Sequence, residues 1–281
     1  MVLEFLIHQL IECLKKKKKN KPINQVKKIA IDDFAFKKKK FYGTVIIDHE
    51  TGNYLEFIES RKKEDIVPIL KKYSNVELVT RDRASSYGSS IKGALPNADQ
   101  IADKFHILMN LTEKGEEYIR GLLPSKIYFN ENYEICSSKK QVYVLKRSKI
   151  ETLMYCDDFS NLTEIEIKLI KKIFKQYKDL KYFIFSIKKL KNIFEHKDIR
   201  GFHKLMKRWS LSTVKVLKTF TKEIYNDYQA VCNAVRSNYT NAIAEGKINK
   251  IKTTKRKCYG RAKPELLFAR LFFDDYIHSI E

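Results

Sequence analysis

Between residues 26 and 101 the apolar pattern switches repeatedly between a period of two and a period near 3.6, and few folds accept that order. "VKKIAIDDFAF" is a β-branched run ending in two aspartates. "FYGTVIIDHETGNYLEFIES" reads as a hairpin whose turn, "HETGN", takes its geometry from Gly52. "KEDIVPILKKY" carries Ile66, Ile69 and Leu70 on one side of a helix, and "NVELVTRD" is a short buried strand ending at Asp82. A weak helix at "ASSYGSSIKGAL" and a last strand at "ADQIAD" complete the order βββαβαβ.

Strands alternating with helices imply parallel neighbours joined by right-handed crossovers, and the initial hairpin adds an antiparallel edge. The expected α/β architecture is a mixed five-stranded sheet in the order 3-2-1-4-5, the layout of the RNase H-like fold. From about Lys104 to Arg236 helical spacing takes over, as in "TVKVLKTFTKEIYNDYQ", where Val214, Leu217, Ile224 and Tyr228 follow one another. A hairpin at "QVYVLKRSKI" is the exception. The expected organisation is an N-terminal helix and basic linker over residues 1–26, a first core part over 27–112, an all-α insertion over 113–236 and a final core part over 237–281.

The formal net charge is +22. An excess of that size favours a polyanionic partner, most often nucleic acid, although a lysine-rich coding background produces the same excess. A hydrophobic fraction of 43%, with 16 tyrosines and 17 phenylalanines, excludes a disordered chain. The five cysteines, Cys13, Cys136, Cys156, Cys232 and Cys258, form no C-x-x-C pair. That argues against a zinc ribbon or a disulfide framework and fits a reducing cytoplasm. In "MVLEFLIHQLIECLKKKKKN" the positive charges follow an apolar run that Glu4, His8 and Glu12 interrupt. It reads as a short amphipathic helix with a solvated Lys15–Lys19 tail, neither signal peptide nor membrane span.

Three carboxylates stand out. In the expected strand order the C-terminal ends of strands one and four lie side by side, where open α/β sheets place their ligands. Asp32, or its rival Asp33, would there meet Asp82, and a divalent cation such as Mg²⁺ is what makes such a pair tolerable. The plainer role of strand-end aspartates is to cap the turns that follow. Glu245 is the third, in "YTNAIAEGKINKIKTTKRKCYGRA", where no other acid follows it. On a helix Ala244, Ile248 and Ile251 form an apolar stripe, and Glu245, Asn249, Lys252 and Arg256 form its neighbour. A surface helix with an ordinary Glu–Lys pair would look the same.

At these residues the chain resembles the DDE transposases of bacterial insertion sequences in the ISL-three group. The motifs are "IAIDDFAFKKKKFYGTVIID", "VTRDRASSYGSSI", "ADKFHILMNL" and "NAIAEGKINKIKTTKRKCYGRA", in family order from about Lys27 to Phe272. The resemblance implies that Asp32, chosen over Asp33, is the first catalytic and metal-binding acid, Asp82 the second and Glu245 the third. Asn241 and Gly246 belong to the same signature, and Asp103 and His106 match its "AD-x-FH" element, with His106 expected to be a buried, satisfied side chain. Lys247, Lys250, Lys252, Lys255, Arg256 and Arg261 are expected to hold DNA phosphates. Two Mg²⁺ ions, replaceable by Mn²⁺, are implied, with no nucleotide cofactor and no membrane. The implied partners are transposon-end and target DNA in a bacterial, nucleoid-associated setting, with a homo-oligomer assembled on the DNA. Trp209 is expected in the core of the insertion, with stacking on an unpaired base as its other role.

Members of the family carry an N-terminal zinc-binding segment and a helix-turn-helix module before the first strand. Here about 26 residues with one cysteine precede it, so a shortened transposase is expected. Two other readings follow: a non-catalytic DNA-binding or dimerising remnant, and an RNase H-like nuclease that hydrolyses without joining strands.

Overall fold

The computed structural model describes residues 22–37, 40–83, 85–156, 159–259 and 262–277. The expected N-terminal helix, the Lys15–Lys19 run and Arg261 lie outside these. The chain forms two compact units, one reaching to Asp103 and resuming at Gln229, the other spanning Lys104–Tyr228.

The first unit opens with β1 (Lys28–Lys37), β2 (Phe41–Asp48) and β3 (Tyr54–Ile58), followed by α1 (Lys63–Leu70), β4 (Leu78–Arg81), α2 (Ser85–Ala94) and β5 (Asp99–Ala102). The sheet order is β3-β2-β1-β4-β5, with β1 parallel to β4 and β4 to β5, as the alternation of the sequence requires. Gly52 takes φ +70° in the turn between β2 and β3, where Asp48 accepts from the Glu50 amide (2.9 Å) and the Thr51 hydroxyl (2.8 Å). Only a residue without a Cβ penalty sits easily in that left-handed conformation.

One expectation needs correcting: β1 does not end at its aspartates. It continues to Lys37 because β2 keeps pairing with it, Asp33 opposite Thr44 and Phe34 opposite Gly43. A Cβ on Gly43 would lie 2.8 Å from the Ile58 carbonyl and from the Phe36 ring.

The second unit contains α3 (Lys104–Leu122), β6 (Lys126–Phe129), β7 (Ile135–Cys136), β8 (Tyr143–Lys146), α4 (Arg147–Thr152), α5 (Glu164–Gln176), α6 (Lys178–Glu195), α7 (Ile199–Ser210) and α8 (Lys215–Tyr225). It is therefore not all-α. The strands form an antiparallel sheet in the order β7-β6-β8, and "QVYVLKRSKI" supplies one strand and then a helix instead of a hairpin. Burial alternates along β6 and β8, so Ile127, Phe129 and Leu145 enter the core. Trp209 is fully buried, edge-on to Phe220, as expected of a core tryptophan; the base-stacking role is excluded. The Val214–Tyr228 stretch is two helices, since α8 stops at Tyr225 and α9 (Tyr228–Arg236) begins after Asn226 and Asp227.

The chain returns to the first unit at Gln229, within α9, and continues there with α10 (Ala242–Lys257) and α11 (Pro264–Ile277). The two faces of the large sheet bury different sets. Ile29, Ile31, Ile46 and Val79 pack with Ile66 and Leu70 of α1 and with Tyr87 and Ile91 of α2. Ala30, Phe34, Val45, Ile47 and Tyr54 pack with Ala244, Ile248 and Ile251 of α10 and with Leu267, Phe268, Leu271 and Phe272 of α11. The apolar stripe of the Glu245 helix thus lies on the Ala30 face. No described helix is long and apolar enough to cross a membrane.

Candidate active site

The parallel pairing of β1 with β4 ends at Ile31 opposite Arg81, so Asp32 and Asp82 are the next residues on neighbouring strands. Neighbouring strands lie about 4.8 Å apart. Strand alternation puts the two aspartates on opposite faces of β1, and different elements cover those faces. Asp32 shares the face of Ala30 and Phe34, which α10 covers. Asp33 shares the face of Ile29 and Ile31, and its carboxylate is paired with the Arg61 guanidinium at 2.6 Å. Arg61 lies over the Tyr42 ring, 3.9 Å from its centroid, so two contacts fix it. Beneath them Thr44 donates to the Ser60 carbonyl (2.7 Å), which leaves the Tyr87 hydroxyl to donate to Thr44 Oγ1 (3.0 Å). Burial pushes the Tyr87 phenol up; the Thr44 bond opposes this, and the charges of Asp33 and Asp32 add to it. That phenol stays a neutral donor.

Asn241 joins the strand tips to the Glu245 helix. It occupies the N-cap position of α10, yet its side chain makes no cap bond. Instead its amide turns into the sheet: Oδ1 accepts from Thr80 Oγ1 at 3.0 Å and Nδ2 donates to Asp32 Oδ2 at 3.3 Å. The residue is 1% exposed, and a buried amide with both ends satisfied fixes its neighbours' positions. Thr80 lies opposite Ala30 and precedes Asp82 by two residues, the spacing that returns an extended side chain to the same face. The Asn241 carbonyl accepts the Glu245 amide at 3.1 Å, placing Glu245 one turn further along α10. There the carboxylate is exposed, in the first turn, where the helix dipole favours an anion. The approach to Asn241 is held by His49, whose Nε2 lies 3.1 Å from the Thr240 carbonyl and whose ring is edge-on to Tyr239. That contact makes Nε2 the protonated nitrogen.

The basic residues of α10 divide into two groups. Lys252 and Arg256 are exposed on the same stripe as Glu245 and Asn249. Lys247 and Lys250 instead reach the two oxygens of Asp275 in α11, at 2.8 and 2.7 Å, and Lys255 donates to the carbonyls of Ala35 and Phe36. Gly246 is exposed, and a Cβ added to it would meet nothing within 4 Å. Asp103 is 4% exposed and donates its amide to the carbonyl of Arg81, next to Asp82. His106 belongs to the second unit and is half-buried, not buried as expected. Sequence reasoning missed Thr80, Arg61 and Asp275. The last had a signal, an acid pair inside the apolar run "LLFARLFFDDY".

By donor type the acids suit a hard divalent cation, since Asp32, Asp82 and Glu245 offer only carboxylate oxygens. Asp32 Oδ1 already accepts from the Asp33 amide (2.7 Å) and Asp82 Oδ1 from the Arg83 amide (2.5 Å), which orient both carboxylates. Among the described residues no three His, Cys, Asp or Glu side chains are already gathered as a metal-ligating group. A family model described as "Transposase", that of the ISL-three DDE group, matches residues 29–271, a range holding all four sequence motifs. No curated protein matches the chain.

Proposed function

We infer that this chain, which belongs to the ISL-three group of DDE transposases, cuts transposon-end DNA and joins the freed end to target DNA, with Asp32, Asp82 and Glu245 as its catalytic acids. The observation that supports this most is the Asn241 amide. One buried side chain bonds Asp32, bonds the strand that leads to Asp82, and heads the helix that carries Glu245.

In the proposed reaction a water oxygen attacks the scissile phosphorus and the P–O3′ bond breaks in line. This leaves a 3′-hydroxyl on one side and a 5′-phosphate on the other. That 3′-oxygen then attacks a target phosphodiester, forming a new P–O bond and releasing the target's own 3′-hydroxyl. Asp32, Asp82 and Glu245 would hold the divalent cations, Mg²⁺ or Mn²⁺. Held there, such ions would supply activation of the attacking oxygen and stabilisation of the leaving one. Asn241 orients Asp32, and Arg61 keeps the Asp33 charge on the opposite face of β1. Lys252 and Arg256, exposed beyond Glu245, would hold the backbone phosphates. Lys247, Lys250 and Lys255 would fix the helix that presents them.

Nicking of end-containing DNA in Mg²⁺ or Mn²⁺ tests the reading. It is expected to disappear in Asp82→Ala while DNA binding persists. A second reading, DNA binding without chemistry, draws on the fact that the carboxylates are not gathered into one ligating group among the described residues. It predicts equal DNA binding in both proteins and no cleavage with either ion.

A further inference from the structure

We propose that the outward face of the small sheet in the second unit binds the DNA backbone. In the β6–β8 pair Lys126 lies opposite Lys146 and Tyr128 opposite Val144, while Ile127 and Leu145, also opposite each other, are buried. Alternation puts Lys126, Tyr128, Val144 and Lys146 on one face and the buried pair on the other. Cys136 of β7 pairs with Tyr128, and its Sγ lies 3.5 Å from the Lys140 carbonyl. Paired residues share a face, so Cys136 lies on that of Tyr128, and its contact with the Lys140 carbonyl brings the connection that carries Lys139 and Lys140 to that face. Four exposed lysines thereby share a face with Val142 and Val144, which are 58% and 45% exposed.

Two features separate this face from ordinary surface charge. Like charges directly opposite on an antiparallel pair destabilise it, so the Lys126–Lys146 pairing is unfavourable until an anion neutralises it. Among the described residues none of the four lysines forms an ion pair, whereas the next cations along the chain do: Arg147 with Glu151 and Lys149 with Glu166, each at 3.0 Å. A second copy apposing this same face would bring more lysines against these, while a polyanion relieves the repulsion. Phosphates suit the lysines, and deoxyribose suits the two valines and Tyr128. Such contact is indifferent to sequence and sensitive to salt.

The proposal rests on DNA being the partner, and the test separates the two. The full chain is titrated with a labelled duplex in EDTA from about 50 to about 200 mM salt, as wild type, as Lys126→Ala/Lys146→Ala and as Lys204→Ala/Lys207→Ala. The last removes two exposed lysines of α7. The sheet variant is expected to bind roughly tenfold to a hundredfold more weakly at the low-salt end. Its log–log salt slope should fall by about 1.8, at about 0.9 per lost contact. Its Tm should be equal to or above that of wild type, and the α7 variant should lose far less affinity. Equal losses in the two variants, or an unchanged slope in the sheet variant, overturn the proposal alone. No binding by the wild type overturns it together with the functional reading.

Discussion

Gly246 is the sharpest place to test whether α10 faces substrate. It is the fifth residue of a 16-residue helix, a position where glycine is a poor choice. Alanine there is better by about 0.8–1.0 kcal/mol in helix propensity. The backbone is not in the left-handed region and the added Cβ would touch nothing within 4 Å, so no strain opposes the gain. Gly246→Ala should therefore stabilise the protein by nearly that amount. At about 2–4 °C per kcal/mol for a chain of this size, Tm rises by roughly 2–3 °C. Intramolecular packing gives no reason for a glycine, and on the proposed function its bareness beside Glu245 would let the DNA backbone approach closely. A methyl group at that surface would push the phosphate outward, and a misplacement of about 1 Å can cost on the order of 100-fold in rate. Thermal melts and metal-dependent cleavage of end DNA, measured on the same preparations, should move in opposite directions: more stable, and roughly 10- to 100-fold slower. A higher Tm with unchanged cleavage would refute the substrate argument. A lower Tm would refute the local helix geometry from which the magnitude was worked.

The neighbouring aspartates should separate cleanly: Asp32→Asn should lower cleavage by at least on the order of 10³-fold, whereas Asp33→Asn, which only weakens a pair with Arg61, should retain most activity in the same nicking assay. Asp275→Asn removes the anion shared by Lys247 and Lys250. Asp275 is 6% exposed but the lysines keep 20% and 30% of their surface, so the loss should be about 2 kcal/mol by chemical denaturation, below the ~3–5 kcal/mol of a fully buried pair. DNA affinity should hold or rise, since two cations are released. Glu166 closes a capping box with Thr163 at the start of α5, and its carboxyl is held below the ordinary 4.5 by the Thr163 amide first and Lys149 second. A depressed acid stabilises the fold above its unfolded-chain value and loses that contribution as pH falls through the lower folded value. Glu166→Gln keeps an oxygen that can close the box and loses only the charge, worth about 0.5 kcal/mol at this exposed pair. It should thus melt about 1–2 °C below wild type at neutral pH, and the gap should close as the pH drops below 4.5.

What could be read from sequence alone follows the range of the forces involved. The order β3-β2-β1-β4-β5 was legible because β-branched runs, Gly52 and the intervening helices are local signals, and handedness rules then leave few ways to join them. The extent of β1 was not. Its aspartates interrupt the apolar run, and only a partner strand, with Phe34 opposite Gly43, shows that pairing continues beyond them. The small sheet escaped for a related reason: strands of two to four residues, such as Ile135–Cys136, are shorter than the window over which a period of two can be told from chance. The choice between Asp32 and Asp33 depends on which face α10 covers, which is settled by Ala244, Ile248 and Ile251 packing on residues more than two hundred positions away. The cations show the same limit. Spacing placed Lys252 and Arg256 on the Glu245 stripe, but spacing within α10 cannot see Asp275 in α11 or the carbonyls of Ala35 and Phe36. Those contacts engage three of the expected DNA ligands within the protein. The division has a physical logic. On the proposed function Glu245 would have to meet two strand tips, which asks for a helix that does not drift, and a polycationic helix stays in place on a protein of net charge +22 more readily if some of its charges are neutralised from within.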